Sequence, residues 1–172
     1  RLQVGSNVFE IHCVSMGNPH CVVFVNNPDQ IDVAQVGTML ENHPIFPNRA
    51  NIEFVQVVNR HHLRMRVWER GSGETLACGT GACASLVAAV LTGRADRQVT
   101  MDLLGGSLEL DWSFDDGHVY QEGPAKFVFD GENNERYPYE KIAVDKFGRI
   151  SVEKLLEVVE RDRENGVCGA IV

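Results

Sequence analysis

The sequence predicts an α+β fold in which many short, mostly antiparallel strands wrap around one central buried helix, followed by a small strand–helix tail. Three observations predict it. Short β-branched and apolar runs recur between Gly, Pro, Asn and Asp residues, which is typical of strands. Residues 82–91 are small and apolar on nearly every face, so a helix there has no side suited to solvent. From Asn133 onward the sequence becomes polar and then changes character.

The N-terminal half is predicted to hold strands and one helix. A helix is expected over residues 31–40 because apolar side chains recur there at helical spacing and Asp32 lies in the first turn. The run at 21–25 is apolar throughout, as in a strand buried on both faces. The strands expected in this half cover residues 8–14, 21–25, 51–58 and 63–69.

The C-terminal half is predicted to continue with strands after the buried helix, at residues 98–104, 107–112, 118–121 and 125–129. Beyond them, Ser151 is a candidate N-cap for an amphipathic helix. Its apolar stripe is Val152, Leu155, Leu156 and Val159. We therefore expect two parts, a lobe of residues 1–132 and an appended tail of residues 133–172 whose origin is uncertain.

Composition narrows the classes of function. A net charge of −8 over 172 residues argues against a nucleic-acid or anionic-membrane surface. No apolar run approaches the roughly 20 residues that span a bilayer, and no signal peptide is visible. The five cysteines include no Cys-x-x-Cys pair, so we expect reduced thiols in the cytoplasm and no metal site. Four of them are predicted to be small buried core residues: Cys13, Cys21, Cys83 and Cys168.

The glycine-rich segment over residues 69–81 is the most unusual passage. Four of its last eleven residues are glycine, and such a loop lets the backbone approach a ligand closely. Cys78 is predicted to lie at the start of the following helix, where unpaired N–H groups and the helix dipole favour a thiolate with a lowered pKa. The N–H groups from Gly79 onward are suited to a carboxylate. A carboxylate bound beside a thiol is what proton transfer at the α-carbon of an amino acid requires.

A dinucleotide site is a second interpretation of the same segment. Residues 79–84 satisfy G-x-G-x-x-A before a helix, and Asp102 follows at about 20 residues' distance. Against this, the loop 70–78 separates the first glycine from its strand, and the surrounding pattern is strand after strand. A P-loop is excluded because no Gly-Lys-Ser/Thr follows.

Five motifs in this order resemble those of the diaminopimelate epimerase family. They are Gly17-Asn18-Pro19-His20, Asn51 within Ala50–Val55, Glu69-Arg70-Gly71-Ser72-Gly73-Glu74-Thr75, Ala77-Cys78-Gly79-Thr80-Gly81 and Gly123-Pro124-Ala125. The similarity covers residues 8–132, and the Glu-Arg-Gly-x-Gly-Glu-Thr run is its most specific part.

The resemblance implies an isomerase that uses two cysteines and neither pyridoxal phosphate nor a metal. One thiolate removes the α-proton from one face, and a second thiol donates a proton from the other. Cys78 matches the family's C-terminal cysteine, Glu69 a residue associated with that thiol, and His20 one associated with the opposing cysteine. The matches to substrate-binding groups are Asn18, Asn51, Glu69 and Arg70 for the distal amino-acid end, and Gly79 and Thr80 for the reacting carboxylate.

The sequence also departs from the family. The family's first catalytic cysteine lies in an N-terminal lobe, in a Cys-Gly-Asn-Gly motif that this sequence lacks. The expected partners are therefore an amino-acid substrate and a missing N-terminal lobe or second subunit, and a homodimer is one option. A binding module that holds an amino acid or a protein without turnover is the alternative. Residues 137–163 resemble part of the fold-type I pyridoxal-phosphate enzymes near cysteine desulfurases, but without a Schiff-base lysine motif no activity transfers.

Overall fold

The computed structural model describes residues 1–5 and 7–125. In this part of the chain there are two α-helices, α1 over Val33–Glu41 and α2 over Gly79–Leu91, and a short 3-10 helix over Pro28–Gln30. Ten strands, β1 to β10, accompany them: Leu2–Val4, Asn7–Phe9, Ile11–Ser15, Pro19–Phe24, Asn51–Asn59, His62–Glu69, Gly73–Thr75, Gln98–Leu103, Gly106–Trp112 and Val119–Glu122.

Eight of these strands form one sheet, and β1 and β2 form a separate hairpin. The order in the sheet is β10-β9-β8-β6-β5-β4-β3, and β7 pairs with β6 beside this path. Two pairs are parallel, β4 with β5 and β6 with β8, and the other described pairs are antiparallel. The predicted α+β class with mostly antiparallel strands is therefore confirmed.

The two helices pack on opposite faces of this sheet. Side chains alternate between faces along a strand: on β4, Val22 lies in the core that contains α2, whereas Cys21 and Val23 lie in the core that contains α1. The strand predicted at 21–25 is thus buried on both faces. Helix α2 contacts β3, β4 and β5 at one end of the sheet and β9 and β10 at the other, so the sheet curves around this helix.

Local sequence accounts for both helices. The side chain of Asp32 accepts the backbone N–H of Gln35 at 2.9 Å and caps α1. On α2, residues from Gly81 to Ala89 are all buried. The hydroxyl of Ser85, the one polar side chain in that stretch, donates to the carbonyl of Gly81 at 2.7 Å. A helix made of small residues can therefore lie inside the curved sheet without unpaired polar groups.

Several predicted elements differ from the structure. The single strand expected at 8–14 is two strands, because Phe9 pairs with Leu2 in the hairpin while Ile11 pairs with Val23 in the main sheet. Strand β7 was not predicted. The strand expected at 125–129, the boundary at 132/133 and the tail with its helix after Ser151 lie outside the described residues. The described residues through Gly123 belong to one compact unit, in which we find no helix long and apolar enough to cross a membrane.

Candidate active site

The predicted site residues meet at one edge of the sheet. Strands β4 and β5 run parallel and both begin there, with His20 beside Asn51. Strand β6 is antiparallel to β5 and ends there at Glu69. The start of α2, with Cys78 as its N-cap, lies at the same edge. Residues that are distant in sequence thus lie close together, because the starts of β4 and β5, the end of β6 and the start of α2 lie at the same edge.

Cys78 caps helix α2 with its own sulfur. Its backbone is extended, and Sγ accepts the backbone N–H of Gly81 at 3.4 Å. The hydroxyl oxygen of Thr80 lies 3.6 Å from the same sulfur. Cys78 is 7% exposed, so the thiol lies at the border between the core and the surface. The N–H groups of Gly79 and Thr80 have no partner within the helix and are available to an anion.

The pKa of Cys78 is the main correction to the sequence-based account. Burial raises the pKa of this thiol, and the negative charges of Glu69 and Glu53 raise it further. Hydrogen bonds from Thr80 and from the N–H of Gly81 lower it without offsetting the burial. The direction of this shift is opposite to the lowered pKa expected from the sequence, and it favours the protonated thiol, the form in which Cys78 acts as an acid.

A chain of hydrogen bonds connects His20 to Cys78. Nε2 of His20 lies 3.0 Å from Oδ1 of Asn18, and Nδ2 of Asn18 donates to Oγ1 of Thr80 at 3.3 Å. Thr80 in turn contacts the sulfur of Cys78. His20 itself is 1% exposed. The structure therefore brings together His20, Asn18, Thr80 and Cys78, to each of which the family resemblance gives a catalytic or substrate-binding role.

The loop between β6 and β7 carries the remaining predicted residues. Glu69 is half-buried, and its Oε1 accepts the hydroxyl of Thr75 at 2.5 Å. Oδ1 of Asn51 accepts the backbone N–H of Arg70 at 2.8 Å, while the exposed guanidinium of Arg70 donates to the carbonyl of Asn48 at 2.9 Å. Asn51 is 5% exposed, so in this structure it shapes the loop.

Glu53 is a residue of this cluster that sequence reasoning missed. Its side chain is fully buried, and its Oε1 lies 2.6 Å from Nδ1 of His20. A Cβ at position 81 would lie 2.8 Å from that oxygen, so Gly81 leaves the space that the carboxylate occupies. The available signal was a lone acidic residue between the apolar Ile52 and Phe54 in a predicted strand.

The other cysteines are placed in different ways. Cys21 and Cys83 are buried, as predicted, and burial raises the pKa of both thiols. Cys13 is exposed, and its predicted burial is wrong because β3 is the terminal strand of the sheet. Cys168 lies outside the described residues. Of these thiols, Cys78 is the one at a helix start with polar groups around it.

The dinucleotide interpretation gains nothing from the geometry. The glycines of residues 79–84 lie inside the first turns of α2, preceded by Cys78 rather than directly by a strand. Asp102, the expected ribose ligand, is bound to His62 at 2.7 Å and to the hydroxyl of Ser107 at 2.7 Å. In the described part of the chain, no three His, Cys, Asp or Glu side chains are grouped to hold a metal ion.

Comparisons with known proteins agree with the arrangement of these motifs. The chain is 56% identical to the diaminopimelate epimerase of Synechococcus elongatus over 76% of this chain and 46% of that protein. It is 58% identical to diaminopimelate epimerase 1 of Nostoc sp., over 76% and 47%. It is 54% identical to the chloroplastic diaminopimelate epimerase of Oryza sativa subsp. japonica, over 76% and 38%. The chain thus spans about half the length, or less, of the curated relatives it matches.

Among solved structures, a Bacillus anthracis phenazine biosynthesis protein of the PhzF family aligns with a TM-score of 0.47 and 20% identity. This alignment covers 66% of this chain and 38% of that one, a similarity too low to indicate a shared function. The family model for diaminopimelate epimerase matches residues 12–128, which is more than half of the sequence and includes the start of α2, His20 and Glu69. The chain belongs to the diaminopimelate epimerase family.

Proposed function

We propose that this chain is the C-terminal lobe of an amino-acid epimerase that interconverts LL- and meso-diaminopimelate in lysine and peptidoglycan-precursor synthesis. The observation that carries the proposal is Cys78 at the start of the buried helix α2, with a thiol beside N–H groups that can bind a carboxylate. The names of the relatives support the substrate. The chemistry needs cysteine acid/base groups and no cofactor.

In this reaction a thiolate removes the α-proton on one face of the substrate. The electron pair of the broken C–H bond is left on the α-carbon and its carboxylate, and a thiol on the other face then donates a proton. The substrate carboxylate would bind at Gly79 and Thr80, next to Cys78. Because burial raises the pKa of Cys78, this cysteine starts in the thiol form and is the proton donor in one direction of the reaction.

The loop residues fit the distal, non-reacting end of the substrate. An amino acid has a carboxylate and an ammonium group, and the loop offers both a cation and an anion, Arg70 and Glu69. Asn51 fixes the loop by accepting the N–H of Arg70. Asn18 belongs to the same site, because its Nδ2 donates to the hydroxyl oxygen of Thr80. In our proposal these side chains bind the end of the substrate that does not react and thereby aim the α-carbon at Cys78.

The second catalytic cysteine must come from outside the segments described here. We propose that an N-terminal lobe or a second subunit supplies it. His20 is buried with both ring nitrogens bound, so its proposed contribution to that opposing thiol is indirect. A homodimer is one such arrangement. We also propose a cytoplasmic location, in which thiols such as Cys13 and Cys21, opposite each other on β3 and β4, stay reduced.

A binding module without turnover is the second candidate, and one observation favours it. Burial raises the pKa of Cys78, which favours the protonated thiol over the thiolate that removal of the α-proton requires. If no second lobe joins it, the site would hold an amino acid and leave the C–H bond intact.

The test is the conversion of LL- to meso-diaminopimelate by the chain combined with an N-terminal lobe of the family. We expect Cys78→Ala to lower kcat by about 100-fold or more, as for the loss of a general acid or base. The matched control is Cys13→Ala, which removes an exposed cysteine of the same lobe and should leave the rate unchanged. Turnover that survives Cys78→Ala would refute the role of this thiol. Substrate binding without any turnover in the complete enzyme would favour the binding module.

A further inference from the structure

Glu53 is a buried carboxylate beneath helix α2. It is 0% exposed and points to the α2 face of the sheet, because its neighbours Ile52 and Phe54 lie in the core on the opposite face. Its Oε1 is 2.6 Å from Nδ1 of His20, and its Oε2 has no hydrogen-bond partner among the described residues. Burying such a group is unfavourable, so its presence indicates a role beyond packing.

His20 is bound at both ring nitrogens, and this fixes where its protons lie. Oδ1 of Asn18 can only accept, so Nε2 of His20, 3.0 Å away, carries a hydrogen. With Nε2 protonated, the carboxyl group of Glu53 either donates its own proton to Nδ1 of a neutral ring or accepts Nδ1–H of a doubly protonated ring. These two arrangements hold the same number of protons. In both states Nε2–H faces Asn18, and the amide group of Asn18 is left to donate to Thr80.

We propose that Glu53 is a positioning residue of the active site: through His20 it orients Asn18, and through Asn18 it holds the Thr80 hydroxyl against the thiol of Cys78. The inference rests on the proposed function, because it assigns a role in that same site. Glu53 does not touch the substrate, since it is fully buried. It acts through the hydrogen bonds that begin at His20.

The ionisable groups around Glu53 come from three elements: His20 and Cys21 on β4, Glu69 on β6 and Cys78 at the start of α2. Burial raises the pKa of Glu53 to about 7, against the lowering effect of His20, and the charge of Glu69 raises it as well. The carboxyl group therefore changes its protonation near neutral pH. Loss of this proton removes the donor to Nδ1 of His20, so the hydrogen bonds that begin at Glu53 change near neutral pH.

The first test is a spectroscopic one on the chain itself. In nitrogen-15 correlation spectra recorded at a pH below the pKa of Glu53, we expect His20 to carry a hydrogen on Nε2. We also expect a strongly deshielded proton in the short contact between Nδ1 and Glu53, which Glu53→Gln should abolish. A wild-type His20 with an unprotonated Nε2 would overturn the proposal, and this result needs no variant to fold.

The second test is kinetic and uses the chain combined with an N-terminal lobe of the family. Glu53→Leu, which cannot bind Nδ1 of His20, should lower kcat/KM by about 10- to 100-fold through misplacement of the reacting groups. Glu53→Gln, whose amide can still donate to Nδ1, should remove an ionisation near pH 7 from the pH profile. The matched control is Glu109→Gln, an exposed glutamate that binds Thr100 on the neighbouring strand; its profile should equal that of the wild type.

The outcomes separate this inference from the proposed function. If Cys78→Ala is inactive while Glu53→Leu keeps the wild-type rate and Glu53→Gln keeps the wild-type pH profile, the function stands and the role of Glu53 is refuted. If Cys78→Ala retains full activity, the function fails whatever Glu53 does. Should Glu53→Leu not fold, Glu53→Asp decides, because it keeps the charge but shortens the reach to His20. Wild-type kinetics in that variant would refute positioning.

Discussion

The sulfur of Cys78 accepts the backbone N–H of Gly81 at 3.4 Å, so the residue that caps helix α2 is also the thiol of the proposed site. N-caps are usually Ser, Thr, Asp or Asn, and a cysteine there connects the start of the helix to the chemistry. The oxygen of Thr80 lies 3.6 Å from the same sulfur. Burial raises the pKa of the thiol, and its hydrogen bonds with Thr80 and with the N–H of Gly81 lower it.

The hydroxyl of Thr80 should affect the acidity of Cys78. Thr80→Val keeps the shape and removes the donor that lowers the pKa of the thiol, so we expect the pKa to rise. A hydrogen bond to a charged group contributes about 1.5–3 kcal/mol to the stability of the charged form. The measurement is the pH dependence of Cys78 alkylation by iodoacetamide, followed by mass spectrometry. As a control, Thr92→Val removes a hydroxyl at the far end of α2; equal alkylation rates in both variants would contradict the expectation.

Glu53 should make the stability of the lobe depend on pH. Burial raises its folded-state pKa from 4.5 to about 7, so the folded state binds more protons than the unfolded state between these values. The free energy of unfolding should therefore fall as pH rises from about 5 to 7, on the order of 1 kcal/mol per pH unit. Urea titrations of the wild type and of Glu53→Gln measure this slope. A slope of the same size in the variant would assign it to other groups.

Gly37 on α1 should not tolerate alanine, although alanine normally stabilises a helix by about 1 kcal/mol relative to glycine. A Cβ at this position would lie 2.5 Å from Cγ of Trp68, and neither the helix nor the ring can move without disturbing the core. We expect Gly37→Ala to lower the free energy of unfolding by about 1–3 kcal/mol. Gln35→Ala, on the exposed side of the same helix, should be neutral within about 0.5 kcal/mol. A stabilised Gly37→Ala would show that Trp68 can be displaced.

Glu41 should anchor the loop that follows β6. Its Oε2 accepts the indole N–H of Trp68 at 2.7 Å, and its Oε1 accepts the N–H of Gly71 at 3.1 Å. Glu41→Gln leaves one of these donors facing an NH2 group, so we expect a loss of about 1–3 kcal/mol of unfolding free energy and faster hydrogen exchange at Gly71. The control is Glu74→Gln, whose contact with Arg66 is nearer the surface and should contribute less than about 1 kcal/mol. Similar losses in both variants would argue against a special role for Glu41.

The elements near the site could be predicted because local patterns determine them. The apolar run that contains β4 and the small residues of α2 specify a buried strand and a buried helix wherever they occur. The pairing of the strands could not be predicted in the same way. His20 lies beside Asn51 only because β4 and β5 pair in parallel. Nothing in the sequence of either strand identifies the strand with which it pairs. Strand β7 was missed because three residues in a glycine-rich loop carry no strand pattern.

The pKa of Cys78 was harder to predict from the sequence than the identity of the residues that form the site. A helix start favours a thiolate, and this effect is visible in the sequence. The burial of Cys78 and the nearby carboxylate of Glu53 are visible only in three dimensions, and together they reverse the direction of the pKa shift. The exposure of Cys13 could not be predicted from the sequence either, because it follows from the terminal position of β3 in the sheet.

The most direct test of the account is exchange of the α-proton of LL-diaminopimelate in heavy water, followed by proton NMR. The samples are the chain combined with an N-terminal lobe of the family, and the same assembly carrying Cys78→Ala or Cys13→Ala. The account predicts that deuterium enters the α-position of the meso product in the wild type and in Cys13→Ala, and that Cys78→Ala forms no deuterated meso product. Formation of that product at the wild-type rate in Cys78→Ala would contradict it, because another group would then transfer the proton.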